Sequence, residues 1–402
     1  MLIKPKVRGF ICASAHPVGC EQMVGSMIQT TQVGGHFQGP KRVLVIGAST
    51  GYGLASRVGA AFGSGAKTIG VFYERAPTPK RTASAGWYNS AAFERFAHNE
   101  HLYAKSINGD AFSDTIKQQT IDLIKEDWGG EVDLIVYSLA SPRRTDPKTG
   151  QVYQSCLKTV GQSYQAHSVD PIRGTYQLVS IDPATDDDIA QTIAIMGGQD
   201  WALWIDALAN AGVLAQDFKT VAYSYIGPEL TFPIYRDGTI GQAKNDLLAT
   251  AGVIANAHAH LGAKAWVSVN KAVVTQASAA IPVVPLYLSV LFQIMQPMGL
   301  HEDCMAQILR LYKDRLYVAG DTLVDELGRI RLDDWEMDSQ VQDAVSACWS
   351  NISADNLQDL VDLSLFRRSF YQLFGFEVDG IDYDADVDPM VMIPSIEERT
   401  EK

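Results

Sequence analysis

Short, wholly apolar runs alternate along this chain with longer segments in which apolar residues recur at helical spacing. The first run, residues 43–46, reads Val-Leu-Val-Ile and stops at Gly47. A strand without polar side chains is typical of a parallel sheet that is covered on both faces. Further strands are predicted at residues 68–73, 102–107, 132–137, 219–225 and 265–269, with helices at 89–99, 114–128, 201–214 and 238–260. This alternation predicts an α/β fold, a doubly wound, Rossmann-type parallel sheet with helices on both faces.

The length of 402 residues fits one elaborated domain of this type, residues 1–402, because no Pro-, Gly- or Ser-rich linker divides the chain. Residues 141–200 interrupt the alternation with polar turns and a β-like stretch at 175–181, which predicts an insertion or lid within the domain. Residues 300–402 have apolar positions at helical spacing, which predicts a mainly helical C-terminal extension.

A glycine-rich turn follows the first strand. Gly47, Gly51 and Gly53 let the backbone approach a ligand closely, and the helix that follows directs free N–H groups and its positive end toward that ligand. A pyrophosphate suits this place. Glu74 ends the next strand 21 residues beyond Gly53, which is about where a dinucleotide site places its ribose-binding carboxylate.

Residues 47–51 also fit the G-x-S-x-G pattern of the nucleophile elbow of serine hydrolases. That reading gives no role to Glu74, and no motif signals the histidine and carboxylate that a serine nucleophile needs. The dinucleotide reading is therefore favoured, with the hydrolase kept as an alternative.

The formal charge of −13 argues against nucleic acid or an anionic membrane surface as a partner. Five scattered cysteines without a C-x-x-C pair indicate a reducing compartment, so a cytoplasmic protein is expected. No signal peptide is apparent, and prolines interrupt the most apolar stretch, residues 280–300, so insertion in a membrane is not expected.

Two sequence patterns resemble metal sites but lack features that such sites require. Cys12, His16 and Cys20 are regularly spaced, but Pro17 should interrupt a helix that aligned them. The acidic residues 382–388 lack the glycine and the final glutamate of a calcium-binding loop. No metal is expected.

Tyr235 follows a predicted sheet strand, and Lys244 lies nine positions later on the first turns of the next helix. Both side chains are therefore expected to face the cofactor crevice. A nearby ammonium favours the ionised form of a phenol and strengthens its hydrogen bond to developing negative charge, and the lysine can also hold ribose hydroxyls.

With these residues, the chain resembles the FabV-type enoyl-acyl carrier protein reductases and the closely similar trans-2-enoyl-CoA reductases. The resemblance extends from residues 3–12 to residues 375–387, and the eight residues between Tyr235 and Lys244 match the spacing of that family. One departure is Asn245, where relatives often have a second lysine. Other signature segments are residues 47–53, 86–90, 138–144, 196–201 and 271–278.

The resemblance implies a role for each matching residue. Tyr235 would be the catalytic acid, Lys244 would hold the nicotinamide ribose, and Tyr225 would contact the substrate thioester. The resemblance implies cofactor contacts for Gly47, Ala48, Ser49, Thr50, Gly51 and Tyr52 at the pyrophosphate, Tyr73 and Glu74 at the adenosine ribose, Asp110 and Ala111 at the adenine, Leu139 and Ala140 at the middle of the cofactor, and Ala272, Val273, Val274 and Thr275 at the carboxamide.

The expected function is NADH-dependent reduction of the C2–C3 double bond of trans-2-enoyl thioesters on acyl carrier protein or coenzyme A, in fatty acid synthesis, by a monomeric enzyme. NADH is expected because Glu74 would repel the 2′-phosphate of NADPH. Arg143, Arg144 and Lys148 are expected near the mouth, where they would receive an anionic carrier, and a solvated basic loop is the alternative. A short-chain dehydrogenase-like ketone or alcohol oxidoreductase and a non-enzymatic NAD-binding protein are the alternatives.

Overall fold

The computed structural model describes residues 1–8, 11–170 and 172–400. Within these residues, seven strands form one parallel sheet in the order β13-β12-β11-β6-β3-β4-β5, and short antiparallel pairs join β1 to β2, β7 to β8 and β9 to β10. The strands are β1 (Val7–Arg8), β2 (Ile11–Cys12), β3 (Arg42–Ile46), β4 (Lys67–Phe72), β5 (Ala104–Asn108), β6 (Val132–Tyr137), β7 (Arg143–Thr145), β8 (Val152–Gln154), β9 (Tyr164–Asp170), β10 (Thr175–Ile181), β11 (Leu214–Ser224), β12 (Lys264–Val269) and β13 (Ile330–Arg331).

Helices cover both faces of the sheet, as the apolar runs predict. They are α1 (Pro17–Val33), α2 (Gly51–Val58), α3 (Ala85–Asn99), α4 (Asp114–Trp128), α5 (Asp186–Met196), α6 (Gln199–Asn210), α7 (Phe232–Tyr235), α8 (Thr239–Ala257), α9 (Gln276–Ala279), α10 (Val284–Met295), α11 (Cys304–Leu311), α12 (Ser339–Trp349), α13 (Leu357–Leu360), α14 (Leu363–Gln372) and α15 (Pro394–Thr400). Short π-helical segments extend α2 and α11.

Strand β3 at the centre of the sheet shows why its side chains are all apolar. Alternate residues of a strand point to opposite faces, so Val43 and Val45 pack under α2, α3, α10 and α11, and Leu44 and Ile46 pack under α4, α6 and α8. All four side chains are fully buried. The predicted Rossmann-type parallel sheet is confirmed.

Several predicted boundaries differ from the structure. Helix α3 begins at Ala85, before the predicted start, and β11 begins at Leu214, inside the predicted helix 201–214. Strand β13 has only two residues and was not predicted. Pro17 does not interrupt a helix but is the first residue of α1, a position that needs no N–H, and His16 accepts a hydrogen bond there from Gly19.

Residues 141–200 contain the two hairpins, with β10 at the predicted position 175–181, followed by α5. The chain beyond residue 300 is mainly helical apart from β13. None of the helices in the described ranges is both long and apolar enough to span a bilayer.

Candidate active site

The backbone of the turn after β3 packs closely against neighbouring carbonyl groups at two glycines, where a side chain would not fit. A Cβ atom on Gly47, whose φ is +85°, would lie 2.0 Å from the carbonyl oxygen of Ser138, and one on Gly53 would lie 1.9 Å from the carbonyl oxygen of Gly47. Helix α2 starts at Gly51, directly behind this turn, with Thr50 as its N-cap residue. The turn therefore presents a helix N-terminus at the carboxyl edge of the sheet, which is a place that favours a phosphate group.

Glu74 lies beside this turn. The Ser49 hydroxyl donates a 2.6 Å hydrogen bond to Glu74 Oε1, and the Glu74 N–H donates to Asn108 Oδ1 at the end of β5. Gly86 makes room for the carboxylate, since a Cβ there would lie 2.1 Å from Glu74 Oε1. Ser49 is thus paired with a carboxylate rather than with a histidine, which removes the geometry that a serine nucleophile requires.

The remaining predicted contacts on this half of the sheet also follow strand ends. Tyr73 leaves β4 with 80 % of its surface exposed, and Asp110 accepts a hydrogen bond from the Phe112 N–H in the turn after β5. Ala111 is buried, and its carbonyl accepts hydrogen bonds from Lys117 and Trp204. Leu139 and Ala140 follow β6, next to the carbonyl of Ser138 that contacts the glycine turn.

The segment after β12 closes the crevice from the other side. The Tyr52 hydroxyl donates a 2.7 Å hydrogen bond to the carbonyl of Lys271, and Thr275 lies within van der Waals reach of the Gly51 position. Ala272, Val273 and Val274 are buried between these two contacts, and Thr275 caps α9. The glycine turn and residues 272–275 therefore lie beside each other at the carboxyl edge of the sheet, where the cofactor crevice is expected.

Tyr225 and Tyr235 meet at the carboxyl end of β11. Their rings make an edge-to-face contact with centroids 4.6 Å apart, and Tyr235 is only 7 % exposed. Burial raises the pKa of each phenol, and the negative charge of Glu336 raises the pKa of each further, so both are protonated at neutral pH.

The two hydroxyl groups differ in their partners. The Tyr225 hydroxyl donates a 2.8 Å hydrogen bond to Glu336, whereas the Tyr235 hydroxyl has no hydrogen-bond partner within the described ranges. Tyr235 therefore holds a proton that is not committed to another protein group.

Lys244 lies on the second turn of α8, and its ammonium donates a 2.9 Å hydrogen bond to the carbonyl of Tyr223, near the end of β11. Desolvation lowers the pKa of Lys244 to about 8. The expected acidification of the Tyr235 phenol by this ammonium does not appear, because burial and Glu336 both raise the pKa of that phenol.

Sequence reasoning missed Glu336 and Tyr287. Glu336 follows β13 and is fully buried, and its carboxylate also accepts a hydrogen bond of 2.5 Å from the Tyr287 hydroxyl of α10. In the sequence it follows two aspartates and reads like part of a solvated acidic turn, so no local signal identifies it.

The expectation of a basic mouth is wrong for Arg144. Arg144 is 1 % exposed, and its guanidinium donates to the carbonyl of Ala194 and to Gln199, so it is a packing residue and not a surface cation. Arg143 is exposed on β7, and Lys148 lies in the turn between β7 and β8. The alternation of side chains along a strand places the two neighbouring arginines on opposite faces.

Family models of trans-2-enoyl-CoA reductases match most of the chain. The model of the NAD(P)H binding domain of trans-2-enoyl-CoA reductase matches residues 2–79, and that of the trans-2-enoyl-CoA reductase catalytic region matches residues 81–317. A third model, described as an enoyl reductase FAD binding domain, matches residues 324–387.

Relatives of high identity cover nearly the whole chain. An NADH-dependent enoyl-[acyl-carrier-protein] reductase of Flavobacterium johnsoniae is 57% identical, over 98% of this chain and 100% of its own. An NADH-dependent trans-2-enoyl-CoA reductase of Ruminiclostridium cellulolyticum is 54% identical over the same shares. The crystal structure of Treponema denticola trans-2-enoyl-CoA reductase in complex with NAD is similar with a TM-score of 0.92 and 48% identity, covering 96% of this chain and 98% of that one.

Residues 324–387 do not fit a flavin dinucleotide. The segment contains fifteen aspartates and glutamates but only four basic residues, and its three glycines, at positions 328, 375 and 380, do not match a G-x-G-x-x-G turn. All four basic residues are committed to ion pairs with carboxylates of the same segment: Arg329, Arg331, Arg367 and Arg368. A pyrophosphate would meet uncompensated negative charge here, so no step of the reaction is assigned to a flavin.

Proposed function

The chain belongs to the trans-2-enoyl-CoA reductase family, and from this premise we propose that it reduces the C2–C3 double bond of trans-2-enoyl thioesters with NADH. It is an oxidoreductase acting on a CH–CH group. The observation that carries this proposal is the pair Tyr225 and Tyr235 at the carboxyl end of β11, where one hydroxyl is committed to a carboxylate and the other is free to donate.

The crevice between the glycine turn and residues 272–275 fits NADH. We assign the pyrophosphate to residues 47–52. The start of α2 provides backbone N–H groups there, and the glycines leave these groups accessible because they carry no side chain. Glu74, held by Ser49, accepts hydrogen bonds from the adenosine ribose, with Tyr73 beside it. The remaining contacts are assigned to Asp110, Ala111, Leu139, Ala140, Lys244, Ala272, Val273, Val274 and Thr275.

When bound, NADH supplies a hydride to C3 of the substrate, which leaves negative charge on the thioester oxygen as an enolate. Tyr235 donates a hydrogen bond to that oxygen, and this contact strengthens as the charge develops. A proton must then reach C2. We assign its delivery to Tyr235, because its hydroxyl is not committed to another protein group, and the tyrosinate that remains regains a proton from solvent before the next turnover.

Lys244 and Tyr225 orient the reactants in this scheme. The Lys244 ammonium is fixed by the Tyr223 carbonyl and retains further N–H groups for the hydroxyls of the nicotinamide ribose. Tyr225 contacts the thioester with its ring, since its proton is directed to Glu336.

We also propose a setting for the enzyme. Fatty acid synthesis requires this reduction, all five cysteines are free thiols, as suits the cytoplasm, and we infer a monomer whose residues 141–200 form a lid over the substrate. The substrate is presented on acyl carrier protein or coenzyme A. Arg143 and Lys148 are the surface cations of the lid nearest in sequence to the β6 end of the crevice.

The test is a spectrophotometric assay of NADH oxidation with crotonyl-CoA and with a longer enoyl thioester. Oxidation that depends on the thioester supports the proposal. Oxidation with ketones but not with enoyl thioesters would instead indicate a short-chain dehydrogenase-like activity, and NADH binding without any turnover would indicate a binding protein.

A further inference from the structure

Glu336 contacts both sides of the site. Its Oε1 atom accepts hydrogen bonds from the hydroxyls of Tyr225, at 2.8 Å, and Tyr287, at 2.5 Å. Its Oε2 atom accepts a 2.6 Å hydrogen bond from the N–H of Ala272, the first residue of the segment assigned to the nicotinamide carboxamide. One side chain therefore joins the substrate tyrosine to the cofactor segment.

The contacts of Glu336 fit an ionised carboxylate. All three neighbours are donors, so each of the three contacts pairs a donor with a lone pair of the carboxylate. The nearby Lys271 is also buried, but its ammonium donates to the carbonyl of Ala272 rather than to the carboxylate. Glu336 is thus held by the groups it positions and not by a direct ion pair.

The direction of these hydrogen bonds gives the two tyrosines different roles. While Glu336 accepts the Tyr225 proton, Tyr225 has no proton to give to the substrate, and its edge-to-face contact with Tyr235 keeps the second phenol in place. A displacement of about 1 Å in such a site can cost roughly a hundredfold in rate. A small movement of the Tyr225 ring is therefore expected to displace Tyr235 and so to lower the rate of the reaction.

We propose that Glu336 is a positioning residue for enoyl reduction, which fixes Tyr225 and the start of residues 272–275 in one arrangement and leaves Tyr235 as the sole proton donor. This inference rests on the proposed function. Glu336 itself touches neither substrate nor cofactor in this account, so its effect must pass through Tyr225 and Ala272.

The test compares Glu336→Gln with a matched control, Glu94→Gln. Glu94 is equally buried, accepts two hydrogen bonds from Ser395 of α15 and lies 3.9 Å from the buried guanidinium of Arg57, but it lies outside the site. Glu336→Gln is expected to lower kcat for crotonyl-CoA by about 10- to 100-fold while KM changes less than about threefold. Glu94→Gln is expected to keep kcat and to lower only the melting temperature.

A double-mutant cycle distinguishes positioning from general destabilisation. If Glu336 acts through Tyr225, adding Glu336→Gln to Tyr225→Phe should lower kcat far less than it does in the wild-type background. Full additivity of the two effects, or equal kcat values for Glu336→Gln and Glu94→Gln, would overturn the inference. If the wild-type chain does not oxidise NADH in a reaction that requires the enoyl thioester, the proposed function is wrong, and this inference falls with it.

If Glu336→Gln does not fold, Tyr287→Phe replaces it, because this change removes one hydroxyl that reaches the tyrosine pair only through Glu336. A three- to tenfold fall in kcat, about the effect of one lost hydrogen bond, is expected, and an unchanged kcat would overturn the inference.

Discussion

The hydroxyl of Ser49 donates a 2.6 Å hydrogen bond to the carboxylate of Glu74, and so fixes that carboxylate beside the glycine turn. A serine that reads in the sequence as a possible nucleophile therefore supports the carboxylate that we assign to the adenosine ribose. The position of Glu74 makes cofactor preference the first property to test.

The wild-type enzyme is expected to favour NADH, because a fixed carboxylate repels the 2′-phosphate of NADPH. Replacing Glu74 with alanine should lower kcat/KM for NADH and raise it for NADPH, so that their ratio falls by about tenfold or more, the equivalent of roughly 1.4 kcal/mol. The control is Glu131→Ala, which removes an exposed carboxylate paired with Arg42 at the opposite end of β3. A wild-type ratio near one would contradict the assignment.

The glycine turn is expected to tolerate no side chain at residue 47. Gly47→Ala adds a Cβ that clashes with the Ser138 carbonyl and also has the unfavourable φ of +85°, so it should cost about 2 kcal/mol or more of unfolding free energy and weaken NADH binding. Gly65→Ala separates the two effects, since its φ is +70° but nothing lies within 4 Å of the added atom. Denaturant unfolding and NADH titration measure both variants, and equal losses in the two would show that the clash is unimportant.

Lys244 is expected to impose a basic limb on the pH profile. Its pKa of about 8 means that the ammonium is charged below pH 8 and neutral above it, so kcat/KM for NADH should fall as the pH rises through 8. Lys244→Arg keeps the charge at high pH and should lose that limb, although its activity is lower throughout. Lys244→Ala should weaken NADH binding at every pH.

If kcat/KM for NADH still falls above pH 8 in Lys244→Arg, the titrating group is not Lys244. Lys271 is the alternative, because burial lowers its pKa to about 8 as well.

The two neighbouring arginines of β7 are expected to respond oppositely to charge reversal. Arg144→Glu places an unpaired carboxylate in a buried site and should cost about 3 kcal/mol or more, enough to unfold a marginal protein. Arg143→Glu should leave the melting temperature nearly unchanged and raise KM for an anionic carrier, with an effect that weakens at high salt. An unchanged KM would show that the exposed arginine plays no part in binding the carrier.

Local sequence patterns predict the fold well because they record what each residue packs against. The apolar run at residues 43–46 is typical of a strand buried on both faces, and Gly53 is required by its contact with Gly47 within the same turn. Boundaries were less certain where helix and strand periodicities overlap. Residue 214, for example, begins β11 rather than ending a helix.

Contacts between distant parts of the chain are not visible in such patterns. Glu336 reaches Tyr225 across 111 residues, and its acidic surroundings in sequence suggest solvent rather than a buried network. Strand β13 is too short for any periodicity, although it brings Glu336 to the site. The burial of Arg144 depends on Ala194 and Gln199, fifty or more residues later.

The most direct test of the account is the turnover of Tyr235→Phe compared with Tyr225→Phe, with crotonyl-CoA and NADH. Loss of the uncommitted hydroxyl should lower kcat by about two to four orders of magnitude, while circular dichroism and NADH affinity remain those of the wild type. Tyr225→Phe should lower kcat less, because its proton is held by Glu336. Near-normal turnover in Tyr235→Phe, together with a folded but inactive Tyr225→Phe, would contradict the assignment of Tyr235 as the proton donor.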